Sequence, residues 1–600
     1  MKKNIKYKCK SKKVTLMDFF IIPFEISPVY SSIYIIQMLL TSLIPLVTIK
    51  VMSEFIDIVL CVKQLSLSDI SNHLIVLFIL ISQKYLLVVI RLCVSCKMRL
   101  QFSERIEEDI LTKKSHLKYK YIESDEELNL MNRISNKPEE KVFEGFNEFL
   151  TLASILIRFL GIFYFLSTTS WWSNIVIIMC IVPIIFMAFY SGKENYNNIV
   201  NNSQLKRNYE YLDKVLYSKE FVNERNLFHY TDEINTRWLE KYNQYITSEL
   251  SILRKWYIRM KATGILIFVV AGIIIASILP AVVIYKMSTG LFMSLVNAIL
   301  SIVQSITWDF ANAIDVLIKN KEFLKELHKF FTFGEEEKVL DRKCNNKTFY
   351  SIEFRNVWFK YPMGENYILK NLNLKLEANK SYALVGTNGC GKTTIVKLLL
   401  GLYDDYKGDI LINDINIRVY DKQYLREFFA VIFQDFARYQ LSFIDNILIG
   451  NKVVTKDNKR VQEVIGKSGL ENVLKKVGNY DIKLGKIYEN GIDLSGGEWQ
   501  KIALARNLIS DAPVRIFDEP TASLDPISEN KLYMDYKKLC SDCTSILITH
   551  RLGSTKLVDE IFVIEDGQVI EKGTHEMLYN MQKVYYNMYN MQSEWYNEKK

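Results

Sequence analysis

Beyond its first thirteen residues this 600-residue chain has almost no surplus of charge. Lys and Arg number 76 against 67 Asp and Glu, a net +9. Seven of the lysines (Lys2, Lys3, Lys6, Lys8, Lys10, Lys12 and Lys13) fall in the opening MKKNIKYKCKSKK, which has no acid, so only +2 is left for the rest. That excludes a nucleic-acid footprint. No small-residue cleavage site follows the first apolar stretch, which excludes a cleaved signal peptide. Metal ligands are scarce. Among nine cysteines only Cys93/Cys96 and Cys540/Cys543 show C-x-x-C spacing, and no nearby His or Cys completes either pair into a zinc site. Reduced structural thiols are the expectation. No internal repeat is apparent. The mean hydropathy of +0.04 excludes a disordered or fibrous chain, and the length predicts several domains.

The apolar residues are unevenly placed. Six stretches of spanning length fall at about 29–49, 73–94, 148–168, 172–190, 262–284 and 291–314, and none follows residue 320. The gaps between them alternate short and long. The two long gaps, about 53 and 71 residues, are charged and amphipathic. With the lysine-rich start on the cytoplasmic side, both long gaps fall inside and the short ones outside. Their patterning predicts helices that continue past the bilayer. A polar linker is expected over 328–348, followed from Phe349 by alternating strands and helices with a largely parallel sheet. The predicted domains are therefore a basic stub (1–28), a six-helix membrane domain (29–327), the linker (328–348) and a soluble α/β domain (349–600).

The strand-like SYALVG runs into GTNGCGKT (386–393) and then the helical TIVKLLLGL, a G-x-x-x-x-G-K-[ST] loop in strand–loop–helix context. Gly386, Thr387, Asn388, Gly389, Cys390 and Gly391 let the backbone curl so that its N–H groups, with the helix N-terminus behind them, face phosphate oxygens. Lys392 adds charge on the β- and γ-phosphates, and the Thr393 hydroxyl is placed to ligate Mg²⁺, with Thr394 next in the helix. The apolar VRIFDE (514–519) ends in two carboxylates: Asp518 is placed to hold Mg²⁺ and Glu519 to take a proton from the attacking water. The fold class is thus multidomain, an all-α polytopic membrane domain followed by an α/β P-loop ATPase domain.

Between these motifs lies LSGGE (494–498), directly before the helical WQKIALARNLI. Here the sequence resembles the ATP-binding cassette family, whose signature this is. The resemblance implies that Ser495, Gly496, Gly497 and Glu498 cradle the γ-phosphate of ATP held by a second subunit. It implies that Tyr361 in FKYP stacks on adenine, and that Gln434 in VIFQD senses Mg²⁺ and water. It assigns the loop that communicates across a dimer to Ser523, Leu524 and Asp525, and the γ-phosphate histidine to His550 in ITHR. Four positions depart from the family pattern. Cys390 stands where Ser is common, and its alkylation is expected to inhibit hydrolysis unless ATP protects it. Glu498 and Trp499 replace the more usual Gln and a basic residue. Arg515 interrupts the apolar strand, and its head is expected in solvent.

The layout resembles the exporter branch, which implies a half-transporter working as a homodimer, a heterodimer being the other arrangement. Coupling helices are then expected near 119–131 and 218–230. Ionisable groups in spanning segments are expensive, roughly 2.5–3.5 kcal/mol on insertion scales. Lys84 and Arg158 lie mid-span and Asp309 toward the cytosolic end of span six, with Gln304 nearby. They read either as a substrate cavity, where two copies would favour carboxylate or phosphate ligands, or as inter-helix pairing and snorkelling. The stretch YSKEFVNERNLFHYTDEI resembles the cytosolic loop of exporters for lantibiotics and related peptides. About 28 residues precede the first span, so no N-terminal protease domain is expected. The expected function is export of a peptide or small amphipathic product across a bacterial plasma membrane, with ATP and Mg²⁺ as cofactors and the ATPase domain cytoplasmic. A multidrug or lipid exporter and a non-transporting membrane ATPase are the rivals. The Met- and aromatic-rich C-terminus is expected to pack on the ATPase domain or its twin.

Overall fold

The computed structural model describes residues 14–60, 67–169, 204–283, 287–336, 348–520 and 543–594, together with 175, 186, 190 and 202. The chain forms two compact units, 1–115 with 126–333, and 116–125 with 334–600.

The first unit is helical. Its long helices are Pro28–Leu60, Leu67–Ser115, Pro138–Thr169, Thr231–Val283, Thr289–Ser305 and, after a π-helical turn at Ile306–Phe310, Ala311–Thr332. Five of the six expected spans lie on these helices, whereas most of 172–190 lies outside the described residues. Among the described residues, four helical stretches are long and apolar enough to cross a membrane: Pro28–Leu60, Ile70–Ser115, Pro138–Ser167 and Thr289–Thr332. At most about a third of each apolar window is buried within the unit. Outward Leu, Ile and Phe side chains, Phe78 and Leu156 among them, are exposed on these helices, as a lipid-facing surface requires. Inside, Ile49, Ile155, Leu166, Ile274, Leu295 and Val303 form a shared core.

Two boundaries differ from the sequence reading. A helix, Asp18–Ile26, occupies part of the stub expected over 1–28. The last helix runs through Thr332 rather than yielding to a linker at 328, because Leu324, Leu327, Phe330 and Phe331 continue its buried face at three- and four-residue spacing.

The second unit carries two sheets. One is antiparallel, ordered β2 (Leu369–Glu377), β1 (Ser351–Phe359), β4 (Lys407–Ile412), β5 (Ile415–Asn416). The other, ordered β10-β9-β3-β8-β7-β6, joins β6 (Phe429–Ile432), β7 (Val514–Asp518), β8 (Thr544–Ile548), β3 (Ser381–Gly386) and β9 (Glu560–Glu565) in parallel, with β10 (Gln568–Gly573) antiparallel at the edge. The parallel strands are near-continuous apolar runs, as strands covered on both faces must be. That coverage narrows the expectation for Arg515. It sits second on an interior strand, level with Ala430 and Ser545, and its Nε and Nη1 are buried without a hydrogen-bond partner among the described residues. Part of the guanidinium is therefore out of solvent, although the residue stays partly exposed.

Candidate functional site: the nucleotide site and a membrane cavity

The loop 386–391 leaves the C-terminal end of β3 and enters the helix Lys392–Leu399. Gly391 is the helix N-cap at φ +104°, and a Cβ there would lie 2.7 Å from Leu369 Cδ2, so only glycine fits. Lys392 is buried, and its Nζ donates to the carbonyls of Gly386 and Thr387, both at 3.0 Å. Cys390 is buried in the same loop, its Sγ 3.7 Å from Lys392 Nζ. The Tyr361 hydroxyl meets Thr394 Oγ1 at 3.0 Å. The Tyr361 ring packs edge-on to Phe359 and Tyr403, with Lys397 Nζ 5.3 Å from its centroid.

Parallel pairing of β3, β8 and β7 brings the C-terminal ends of distant segments to this loop. Thr393 Oγ1 donates to Asp518 Oδ2 at 3.0 Å. Burial pushes the Asp518 carboxyl up to about 6, with adjacent Glu519 adding to the rise and the Thr393 bond and Lys392 opposing it. A buried carboxylate short of positive charge beside a hydroxyl is a donor set that suits a divalent cation. Among the described residues no group of three or more His, Cys, Asp and Glu side chains forms another metal site.

Glu519 follows β7 in a left-handed conformation, φ +49°, which is uncommon for a non-glycine residue and of order 1–3 kcal/mol unfavourable. The turn aims its carboxylate at two partners. His550 Nε2 is 2.8 Å from Oε1, and Gln434 Nε2 donates to Oε2 at 2.8 Å. Burial and Lys392 hold the His550 imidazole below its usual range, against the pull of Glu519. The 2.8 Å approach lets Nε2–H donate to the carboxylate.

The SGGE segment forms its own local cap. Ser495 caps the helix Gly496–Leu508 in a reciprocal capping box: Ser495 N donates to Glu498 Oε2 at 2.7 Å, and Glu498 N to Ser495 Oγ at 3.3 Å. Lys476 Nζ donates to both Glu498 oxygens at 3.0 and 2.9 Å. Burial works against the Glu498 charge, but these bonds hold its carboxyl below the usual range. No hydrogen bond or ion pair among the described residues joins Ser495, Gly496 or Gly497 to the P-loop. Ser523, Leu524 and Asp525 lie outside the described residues.

The expected coupling stretches separate. The segment 116–125, including the helix Tyr119–Glu123, belongs to the ATPase unit. Its Leu117 pairs with Glu335, Tyr119 packs edge-on to Tyr403, and Glu123 accepts from Lys397 at 2.8 Å. Lys397 lies in the P-loop helix, so one lysine links this segment to the nucleotide site; the sequence reading missed it. The second stretch forms the helix Lys219–Leu227 in the membrane unit, with no buried residue.

The ABC transporter family matches residues 369–522. Over 496 residues the chain is 29% identical to the subtilin transport ATP-binding protein SpaT of Bacillus subtilis, covering 82% of this chain and 80% of that protein. The chain carries an ABC transporter domain and is similar over most of its length to ABC exporters. It is a multi-pass membrane protein that binds ATP and couples its hydrolysis to export. The exporter is also 27% identical over 579 residues to the nisin transport ATP-binding protein NisT of Lactococcus lactis subsp. lactis, with 94% of each chain covered. It is 28% identical over 467 residues to the ATP-dependent lipid A-core flippase of Escherichia coli (strain K12), covering 76% of this chain and 77% of that one. Its fold matches a bacterial Atm1-family ABC exporter solved with ATP bound, at a TM-score of 0.79 and 18% identity over 94% of this chain and 98% of that one.

Within the exporter's membrane unit a cavity of about 450 Å³ gathers Lys84, Arg158 and Asp309. Gln304 does not line it and is exposed. Its polar wall also includes Arg91, Asn147 and Glu148, which the sequence reading did not single out. Arg91 was legible as the residue seven positions after Lys84, on the same helix face. Tyr34 donates to Asn147 Oδ1 at 2.7 Å and accepts from Arg91 Nε at 2.9 Å. Arg158 Nη1 donates to Ser305 Oγ at 3.5 Å, and its Nε is buried without a partner among the described residues. The lining holds three cations and two carboxylates, so the anion preference expected from Lys84 and Arg158 alone is offset within the cavity.

Proposed function

We propose that the exporter works as a homodimer in a bacterial plasma membrane, with its N-terminus and ATPase unit in the cytoplasm, and moves a peptide or similar amphipathic product outward. The observation that carries the mechanism is the Glu519 carboxylate held between His550 and Gln434 at the rim of the P-loop. In this reading Glu519 takes the proton from the attacking water, His550 orients that carboxylate and meets the γ-phosphate, and Gln434 holds its other oxygen. Thr393, Asp518 and Gln434 would hold Mg²⁺, which neutralises charge on the phosphates when bound. That no hydrogen bond or ion pair among the described residues joins Ser495, Gly496 or Gly497 to the P-loop is consistent with a composite site, with 386–394 of one chain facing 495–498 of another and Asp525 completing it. The unburied helix Lys219–Leu227, flanked by exposed Tyr217 and Phe228, supports a contact with a second chain. Closing the two composite sites would turn the membrane cavity outward, and hydrolysis would reset it.

The cargo reading rests on similarity to SpaT and NisT, whose names specify subtilin and nisin transport, and on a cavity with both signs of charge, which suits a ligand carrying both ammonium and carboxylate groups. The similarity to a lipid A-core flippase favours lipid export as the second reading. Vesicle uptake separates them. Proteoliposomes of the exporter should concentrate a cationic amphipathic peptide with ATP, and Lys84→Leu with Arg158→Leu should lower that uptake without lowering basal hydrolysis. ATPase stimulation and flipping confined to lipid would favour the second reading. Unchanged peptide transport by the double variant would remove the cavity from the account.

A further inference from the structure

The helix Val584–Glu594, from the Met- and aromatic-rich C-terminal stretch, packs on its own ATPase unit and is fastened at both ends. At its start, the backbone N–H groups of Val584 and Tyr585 donate to the two oxygens of Glu571 at 2.7 and 3.1 Å. Tyr585 is fully buried, its hydroxyl 2.7 Å from Thr555 Oγ1 and 2.8 Å from His575 Nδ1. In its last turn, Gln592 Nε2 donates to the carbonyl of His550 at 2.6 Å, and Gln592 Oε1 accepts from the N–H of Leu552 at 2.7 Å. The carboxamide therefore closes a two-point clamp on the loop whose imidazole meets Glu519. A carboxamide suits this place because it presents a donor and an acceptor side by side. Alanine offers neither, and an ionised carboxylate would face the His550 carbonyl with a second acceptor.

We propose that Gln592 is a positioning residue for hydrolysis: its clamp on residues 550 and 552 fixes the reach of the His550 imidazole to Glu519, so the C-terminal helix sets the geometry of the nucleotide site. The inference rests on the role given above to the His550–Glu519 pair. A displacement of about 1 Å in such a pair lowers turnover by up to about a hundred-fold, and removal of the clamp leaves Thr549, whose Oγ1 accepts from Arg551 N at 2.9 Å, still bracing the loop.

The test uses the full-length exporter in nanodiscs and compares Gln592→Ala, Gln592→Glu and His550→Ala for ATP turnover, KM and melting temperature across pH. Gln592→Ala should lower kcat about ten-fold with KM for ATP within about two-fold of wild type. Gln592→Glu should be as slow at pH 8 and should recover, relative to wild type, as pH falls toward 6, because protonation of the new carboxyl restores the donor to the His550 carbonyl. Wild-type kcat in Gln592→Ala beside a slow His550→Ala would overturn the clamp and leave the pair intact. Wild-type kcat in His550→Ala would overturn the pair itself, and the clamp with it. A Gln592→Glu defect that does not change with pH, or a loss of kcat that only follows a lowered melting temperature, would reduce Gln592 to a structural contact. Because Gln592→Glu is read against itself across pH, the test survives a poorly folded alanine variant.

Discussion

His550 Nε2 stands 2.8 Å from Glu519 Oε1, although 31 positions separate them in sequence. The parallel neighbours β7 and β8 end side by side, Asp518 level with Ile548, and the left-handed turn at Glu519 swings its carboxylate across the gap. The pair is thus a product of sheet register, and what surrounds it makes testable demands.

Glu498 places a negative charge at the N-terminus of a helix proposed to receive phosphate, and Lys476 holds both of its oxygens. Lys476→Met should raise the KM for ATP a few-fold, the size being modest because the pair is partly solvent-screened. Glu498→Gln in the same chain should restore it, since a neutral carboxamide keeps the capping acceptor. A double-mutant cycle on KM checks the coupling, and additive effects would contradict it.

Asp518 is charged at neutral pH against the cost of its burial. Its ordinary value is 3.8 and the folded value about 6. A raised carboxyl favours the folded state below its ordinary value, and that advantage is lost as pH rises to about 6. By pH 7 the shift corresponds to about 3 kcal/mol. Asp518→Asn should therefore raise the melting temperature of the nucleotide-free exporter at pH 7.5, with a smaller difference near pH 5, while abolishing hydrolysis. Thermal scans of both proteins across pH check it; an Asn variant less stable at both pH values would contradict the assignment.

Cys390 is buried in the phosphate loop with its sulfur near Lys392. Alkylation there adds bulk where the phosphates are proposed to sit. Maleimide labelling should be slow, should stop hydrolysis in proportion to Cys390 modification and should be blocked by ATP. Cys390→Ser should hydrolyse ATP normally and resist the reagent. Full activity after complete modification at Cys390, measured by mass spectrometry, would contradict this placement.

Much of the site was legible because its chemistry is local. The P-loop, VRIFDE and LSGGE each state their geometry within eight residues, since strand end, glycine turn and helix N-terminus are encoded together. Four of the expected spans were legible from apolar length alone. What escaped were contacts between distant segments. Glu148 reads as an ordinary acid at a helix edge until the cavity gathers it with Arg158. Lys397 reads as a surface lysine until Glu123, 274 positions away, meets it. Gln592 reads as one polar residue in an aromatic stretch. Arg515 reads as a solvent-facing head until the strands paired on both sides of its own are seen with part of the guanidinium buried.

The central claim, that Glu519 drives hydrolysis in a site two chains share, is tested most directly by Glu519→Gln in nanodiscs, measuring turnover and retained nucleotide together. The account predicts turnover lowered by about a hundred-fold or more, with two ATP retained per dimer and fully formed composite sites. Near-normal turnover would contradict the role of Glu519, and stoichiometric ATP retention by a monomer would contradict the shared site.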